Sequence, residues 1–301
     1  MVVVSTIFDS VLSTIWIKQA RLIGNTLVMK QVKRAIYEQI FNLRGWRFEK
    51  IFHVANRTYL KWPIVVKYSV HDNLYIITDK NGFKILVGRP ERVPFYRHGI
   101  KLRLDNLSNE YLLSHIDFND DDIVVDVGAN IGEVSFNLAR IYNSKVICIE
   151  PDDLEFKCLQ RNCGEYNSVF LDTPLWSEEK EMTFYQKNST GDSSLFEIDS
   201  HLETKTVRTS TLSKVITKNV SSKKRVRLLK LEAEGAEPEI LLGGLDVLHR
   251  IDYITADVGP ERGLKQESTQ VGVESILLKN GFHLIRSGTK RQVLLFKNSA
   301  V

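Results

Sequence analysis

The chain has 301 residues, 43% of them hydrophobic, and a formal net charge of +4 at pH 7. That length and composition allow one large or two small domains with a sizeable core, and the mild charge does not by itself call for nucleic acid. Three cysteines (Cys148, Cys158 and Cys163) lack C-x-x-C spacing, so no metal site or disulfide framework is indicated and reduced thiols in a cytoplasmic protein are expected. No run approaches the roughly 18 apolar residues needed to span a bilayer, so no membrane span is expected.

In chain order, residues 1–45 predict two helices broken at the turn dipeptide Gly24-Asn25, the second stopping at Gly45. In the first, Ile7, Val11, Leu12, Ile15 and Trp16 fall at helical spacing, a face expected to dock on the rest of the protein. The segment lacks the basic start of a secretion signal. Residues 64–70, 74–78 and 83–87 then read as short strands separated by Asp72-Asn73 and Asp79-Lys80-Asn81-Gly82, a small antiparallel meander. Arg89, Arg92, Arg97, Lys101 and Arg103 follow and read as a solvated loop. A helix is expected over 104–116, with 117–122 as its polar stop.

The stretch from Asp122 to Phe136 organises the rest. Ile123 to Val127 is an apolar run broken by one acid, Asp126, and reads as a buried parallel strand. Gly128 to Gly132 makes a tight turn, and Glu133 to Ile141 reads as a helix. Strand, glycine turn and helix form the nucleotide-binding start of a doubly wound α/β fold. A dinucleotide G-x-G-x-x-G would need glycine at 130 and 133, where the chain has Asn130 and Glu133. Asp126 and Glu133 also place negative charge around the turn, which suits a pyrophosphate poorly. A phosphate-free ligand with a cationic end, such as S-adenosylmethionine (SAM), fits better. The next strand, 145–149, runs into Glu150, which is placed to accept ribose hydroxyls.

Further along, a helix after Pro151-Asp152 ends near Gly164, and 168–171 forms a third strand ending at Asp172. Residues 182–185 and 204–208 read as a hairpin in place of a crossover helix, with a polar loop at 188–194 positioned to fold over the nucleotide. The basic run 223–227 enters a strand over 228–231. There Lys230, Glu232 and Glu234 alternate and share one face or its continuation. Pro238 sits in the first turn of the next helix and Gly243-Gly244 closes it. A fifth strand, 251–257, ends in Asp257. The closing segments 282–285 and 292–296 predict an antiparallel hairpin on a parallel sheet.

Three pieces carry a resemblance: VVDVGANIGEVSF at 124–136, VICIEPD at 146–152 and LLKLEAEGAEPEILLGG at 228–244. On these the sequence resembles the FkbM family of SAM-dependent methyltransferases over about residues 100–297. Tyr111, Leu175-Trp176 and Asp257 agree more weakly. Glu232 stands where the family usually has Asp, and Thr211-Leu212-Ser213 where it usually has T-L-D. The resemblance implies a seven-stranded doubly wound, mostly parallel sheet (class I methyltransferase, Rossmann-like) with a terminal antiparallel hairpin. This transferase domain would cover 100–301, after a small α+β region of helices and meander at 1–99. It implies SAM as cofactor, held by Asp126, Gly128, Asn130 and Gly132 around the methionine part, Glu150 at the ribose and Asp172 near the adenine. It implies methyl transfer to a hydroxyl of a small-molecule, sugar, lipid or natural-product acceptor, with Glu234 and then Glu232 as candidate proton acceptors. Nucleic acid is not expected as a partner. Two alternatives stay open: an RNA-directed methyltransferase using the basic stretches 89–103 and 223–227, and a catalytically silent SAM-binding or interaction subunit.

Overall fold

The computed structural model describes residues 39–187, 193–199 and 203–301. The helices expected over residues 1–38, and the loop residues 188–192, lie outside the described residues.

Seven strands form one sheet: β4 (Ile123–Val127), β5 (Lys145–Ile149), β6 (Ser168–Leu171), β9 (Val226–Leu231), β10 (Ile251–Asp257), β13 (Phe282–Ser287) and β14 (Val293–Asn298). Their order is β13-β14-β10-β9-β4-β5-β6. Only β14 runs antiparallel to its neighbours. The chain builds outward from β4 to β6, then returns to lay β9 on the other side of β4. This reversal is the topological switch point at which open α/β sheets bind ligands, outside the carboxyl ends of the strands. The expected sheet and terminal hairpin are both present.

Alternation divides each central strand between two packed faces. Val125, Val127, Leu229, Leu231 and Ile254 join a core with α5 (Leu212–Asn219), α6 (Glu237–Leu242) and α7 (Gln270–Lys279). Val124, Val146, Leu228 and Leu295 face the other way, toward α3 (Glu133–Tyr142) and α4 (Asp153–Cys163). Because both faces are covered, β4 and β10 are buried along their whole length, acids included. The helix starts follow side-chain chemistry: Asp152 accepts from the backbone N–H groups of Leu154 and Glu155 ahead of α4, and Thr211 from that of Lys214 in α5. The antiparallel pair β7 (Glu181–Gln186) and β8 (Glu203–Arg208) stands in for a crossover helix, as expected.

Before the sheet, α1 (Gly45–Ala55) lays Phe48 and Phe52 on a meander of β1 (Ile64–Ser69), β2 (Leu74–Asp79) and β3 (Lys84–Val87). This core is continuous with Ile100 and Leu104 of α2 (Ile100–Glu110), with Ile131 and with Cys158 of α4. Asn162 of α4 also pairs with β3, its Oδ1 accepting from the Leu86 N–H at 2.7 Å and its amide donating to the Leu86 carbonyl at 3.0 Å.

Two expectations need correction. Helix α2 stops at Glu110, because Leu112 adopts a left-handed backbone (φ 60°) and only a short 3₁₀ turn, Leu113–His115, follows. The arginines after the meander are not a solvated loop. Arg89 and Arg92 are buried against Glu155, which has no exposed surface, and Arg89 also reaches Asp152 at 3.5 Å. Arg103 is ion-paired to Glu133 at 2.9 Å. Arg97 and Lys101 stay exposed.

Candidate active site

The switch point opens into a cavity of about 350 Å³, inside the range of small-ligand sites. Its floor is the carboxyl end of β4, β5 and β9, one wall is the β7–β8 hairpin with Ser193 to Leu195, and the other is the segment after β10.

The β4 turn is shaped by two glycines for different reasons. Gly128 has φ +69°, and a Cβ there would lie 1.8 Å from the Glu232 carbonyl oxygen, so the turn and the end of β9 touch backbone to backbone. Gly132 (φ +88°) instead faces α4, where a Cβ would sit 2.8 Å from Cys163 Sγ and from Leu159 Cδ1. Asn130 between them is left-handed at φ 53°, a conformation asparagine tolerates better than most residues. Gly128 and Asn130 line the cavity, whereas Gly132 does not.

Asp126 is also away from the cavity. It lies opposite Lys230 in the β4–β9 pairing, and Lys230 Nζ donates to its Oδ1 at 2.9 Å while Ser135 Oγ donates to its Oδ2 at 2.6 Å. The same ammonium donates to the carbonyls of Gly128 (2.9 Å) and Val127 (3.3 Å). It pairs with Glu232 as well, at 3.2 Å. Burial pulls the Lys230 proton affinity down, but Asp126 and Glu232 outweigh that and raise it. Asp126 therefore holds the turn from beneath, through Lys230. Glu133 likewise faces away, hydrogen-bonded by Tyr96 Oη at 2.9 Å and paired with Arg103. The two acids expected to surround the turn with negative charge are both neutralised. Asp172 is exposed and does not line the cavity.

Glu150 does line it. Its Oε2 accepts from the Asn130 N–H and its Oε1 from the Asp152 N–H, both at 2.8 Å. Burial pushes its carboxyl up to about 8, against the pull of those two N–H groups.

Glu232 and Glu234 both face the cavity beyond β9. Despite burial, Glu232 is held down at about 2 by Lys230 and Arg291, with the Tyr111 hydroxyl donating to it. Arg291 bridges Glu232 and Asp257, over the Tyr111 ring at 5.2 Å. Glu234 sits at φ 49° in a left-handed turn, and its carbonyl accepts from Ser194 Oγ at 3.0 Å. The cap of that turn is a residue the sequence did not single out. Glu237 is almost wholly buried and accepts from the N–H groups of Ala233 (2.8 Å) and Gly235 (3.3 Å). Glu237 is the first residue of α6, and Pro238 sits in that helix's first turn, as expected.

Sequence reasoning also missed the short hairpin of β11 (Pro260–Arg262) and β12 (Glu267–Ser268), which adds Glu261 to the cavity wall. Burial, followed by the charges of Asp257 and Glu232, raises the Glu261 carboxyl to about 8. The only signal in the sequence was its closeness to the acid ending the fifth strand.

A family model described as Methyltransferase FkbM domain matches residues 126–284, more than half of the chain and both sides of the cavity. The chain belongs to the FkbM methyltransferase family. This FkbM-family chain is 29% identical over 171 residues to "Methyltransferase 1" of Beauveria bassiana, covering 48% of this chain and 68% of the relative. Among solved structures it is similar to the precorrin-6y C5,15-methyltransferase of Geobacter metallireducens (11% identity, 62% of this chain and 86% of that one, TM-score 0.37). It is also similar to a Streptococcus pneumoniae protein solved in complex with S-adenosyl-L-methionine (11% identity, 65% and 72% covered, TM-score 0.38).

Proposed function

We propose that this methyltransferase uses SAM as its methyl donor and methylates a hydroxyl of a small-molecule, glycan or lipid acceptor. The observation that carries the proposal is the lining of the switch-point cavity. Glu150, Glu232, Glu234 and Glu261 face it, against Lys187 and Arg291, and Arg291 is already paired with two acids. A pyrophosphate would enter beside the ionised Glu232 among acids that its charge would keep protonated, whereas a cationic sulfonium and ammonium meet Glu232 and favour the ionised form of Glu150 and Glu261. Gly128 and Asn130 would approach the methionine part, and Glu150 would accept from the ribose hydroxyls. Asp126, through Lys230, would fix the turn. Gly132 would fix it against α4. An adenine contact for Asp172 gains no support from its exposed position.

Bound SAM supplies an electrophilic methyl group. The chain's part is to hold the acceptor oxygen in line with it, exclude water and receive a proton. Glu232, at about 2, stays ionised and serves as a fixed counter-charge rather than a proton acceptor. Glu234 is the better of the two acids expected from the sequence for that task. Residues 100–301 carry these groups and are proposed as the transferase domain, with 1–99 as a preceding unit. Arg89, Arg92 and Arg103 each meet a carboxylate, as do Arg225 and Arg227 at Asp252, so most of the arginines in the two basic stretches are already paired, which weighs against RNA. Among the described residues no helix is long and apolar enough to cross a membrane. Cys148, Cys158 and Cys163 are buried free thiols, which supports a reducing compartment such as the cytoplasm.

Titration calorimetry tests the donor: SAM and S-adenosylhomocysteine (SAH) bind and NAD is silent. NAD binding tighter than SAM would overturn the proposal. Incubating the protein with methyl-labelled SAM and a cell extract, then identifying the labelled small molecule, tests the acceptor class. Label found only in RNA or protein would refute it.

A further inference from the structure

Of the four glutamates that line the cavity, three are engaged. Glu150 accepts two backbone N–H groups, Glu232 is held by Lys230, Arg291 and Tyr111, and Glu234 also has a partner. The Glu261 carboxyl makes no hydrogen bond or ion pair with the described residues. Its backbone is nonetheless fixed. The Glu261 N–H donates to the Gly259 carbonyl at 3.0 Å. Its neighbour Arg262 is clamped by both oxygens of Glu239 (2.7 and 2.8 Å) and by the Gly235 carbonyl (2.9 Å), over the Phe196 ring at 4.3 Å. A rigid hairpin thus presents one unpaired carboxyl to the cavity.

We propose that Glu261 takes the acceptor's proton, being ionised while a cationic methyl donor fills the cavity and protonated once the donor has lost its charge. This rests on SAM being the donor. The groups facing Glu261 are Asp257 at the end of β10, Glu232 at the end of β9, Glu237 of α6 and Arg291 ahead of β14. Burial first, and then the charges of Asp257 and Glu232 with a smaller one from Glu237, against the Arg291 guanidinium, raise the Glu261 carboxyl to about 8, so it holds its proton at neutral pH. A cation in the cavity opposes that field and drives the proton off. In the transfer, the acceptor oxygen forms its bond to the methyl carbon. The carbon–sulfur bond breaks with its electron pair going to sulfur, which becomes a neutral thioether. The hydroxyl proton passes to the Glu261 carboxylate and later leaves to solvent. Loss of the sulfonium charge restores the field of the three acids at the moment a base is needed, so the proton affinity of Glu261 rises as the reaction proceeds.

SAM and SAH share ribose and ammonium and differ by the charged methyl group, so their difference isolates this effect from any change at Glu150. Calorimetry at pH 7 in two buffers of different ionisation enthalpy reads the protons released on binding. Wild type is expected to release close to one proton more with SAM than with SAH, and Glu261→Gln to show no such difference. Equal release by wild type for the two ligands overturns the proposal whatever the variant does. A difference kept in Glu261→Gln and lost in Glu234→Gln overturns it in favour of Glu234. If neither ligand binds wild type, the SAM reading itself has failed, which is a separate result. With the acceptor identified, single-turnover methyl transfer by Glu261→Gln is expected to fall by about 10²–10⁴ with SAM saturating. A wild-type rate there also overturns the proposal.

Discussion

Replacing Lys230 by Met tests how the site is built. Lys230 is 2% exposed and Asp126 fully buried, and the ammonium supplies hydrogen bonds to Asp126, Val127 and Gly128 and an ion pair to Glu232. Methionine fills nearly the same space, so little packing is lost, and the cost is electrostatic. It leaves Asp126 in the sheet with Ser135 as its one remaining hydrogen-bond donor, and it takes the ammonium from the Gly128 carbonyl of the turn, while the Val127 carbonyl keeps the Glu232 N–H at 3.2 Å. Removing one partner of a buried pair costs about 3–5 kcal/mol. Glu232 keeps Arg291 and adds little to that. The expected loss is therefore about 3–5 kcal/mol, read as a lower midpoint at unchanged slope in urea unfolding followed by circular dichroism. Lys230→Met with Asp126→Asn removes the stranded charge and is expected to recover about half of the loss, a coupling that a double-mutant cycle measures directly. SAM affinity should fall as well, because the Val127 and Gly128 carbonyls fix the turn that lines the cavity. A loss below about 1 kcal/mol, or no recovery in the double variant, would refute the reasoning that the pair supports the turn.

Three further outcomes are expected. Glu150→Ala should weaken SAM binding by roughly 1.5–3 kcal/mol when measured above pH 8, where the carboxyl is ionised, the worth of a hydrogen bond to a charged group. Unchanged affinity in a folded variant would put the ribose elsewhere. Gly128→Ala sets a methyl group against the Glu232 carbonyl and should destabilise the protein by about 1–3 kcal/mol or more while abolishing SAM binding. A stable, SAM-binding variant would contradict the backbone contact. Glu261→Gln should change the pH dependence of stability. The folded carboxyl is raised from 4.5 to about 8, so the unfolded chain loses that proton first, and wild type is progressively destabilised as pH rises between those values. The variant should match wild type below pH 4.5 and exceed it above pH 8 in urea unfolding; parallel curves would mean that Glu261 titrates normally.

The sheet was legible in the sequence because buried parallel strands are short apolar runs, a mark that β4, β5, β9 and β10 carry most clearly. Glu150 was legible for the same reason, as the first polar residue after such a run. Asp126 and Glu133 were located correctly in sequence but not in role. Their partners, Lys230 and Arg103, come from distant segments, and strand alternation does not say which cation crosses to which acid. Gly132 and Gly128 look alike in a glycine turn, yet one meets α4 and the other β9. Glu261 escaped notice because Pro260 to Ser268 has no period and only Leu264 as a large apolar residue, and its place depends on Arg262 reaching Glu239.

The arginines that enter the core from the segment after the meander constrain how this enzyme can be dissected. Glu155 has no exposed surface, and its two counter-ions, Arg89 and Arg92, come from outside the stretch that defines the family. A fragment begun at residue 100 would keep every cavity-lining residue and yet carry a naked carboxylate inside, three residues beyond the Asp152 whose N–H steadies Glu150. Swapping the front of this chain for that of a relative meets the same obstacle unless the two arginines travel with α4. Chimeras and minimal catalytic fragments should therefore be cut ahead of Arg89, with the whole meander retained.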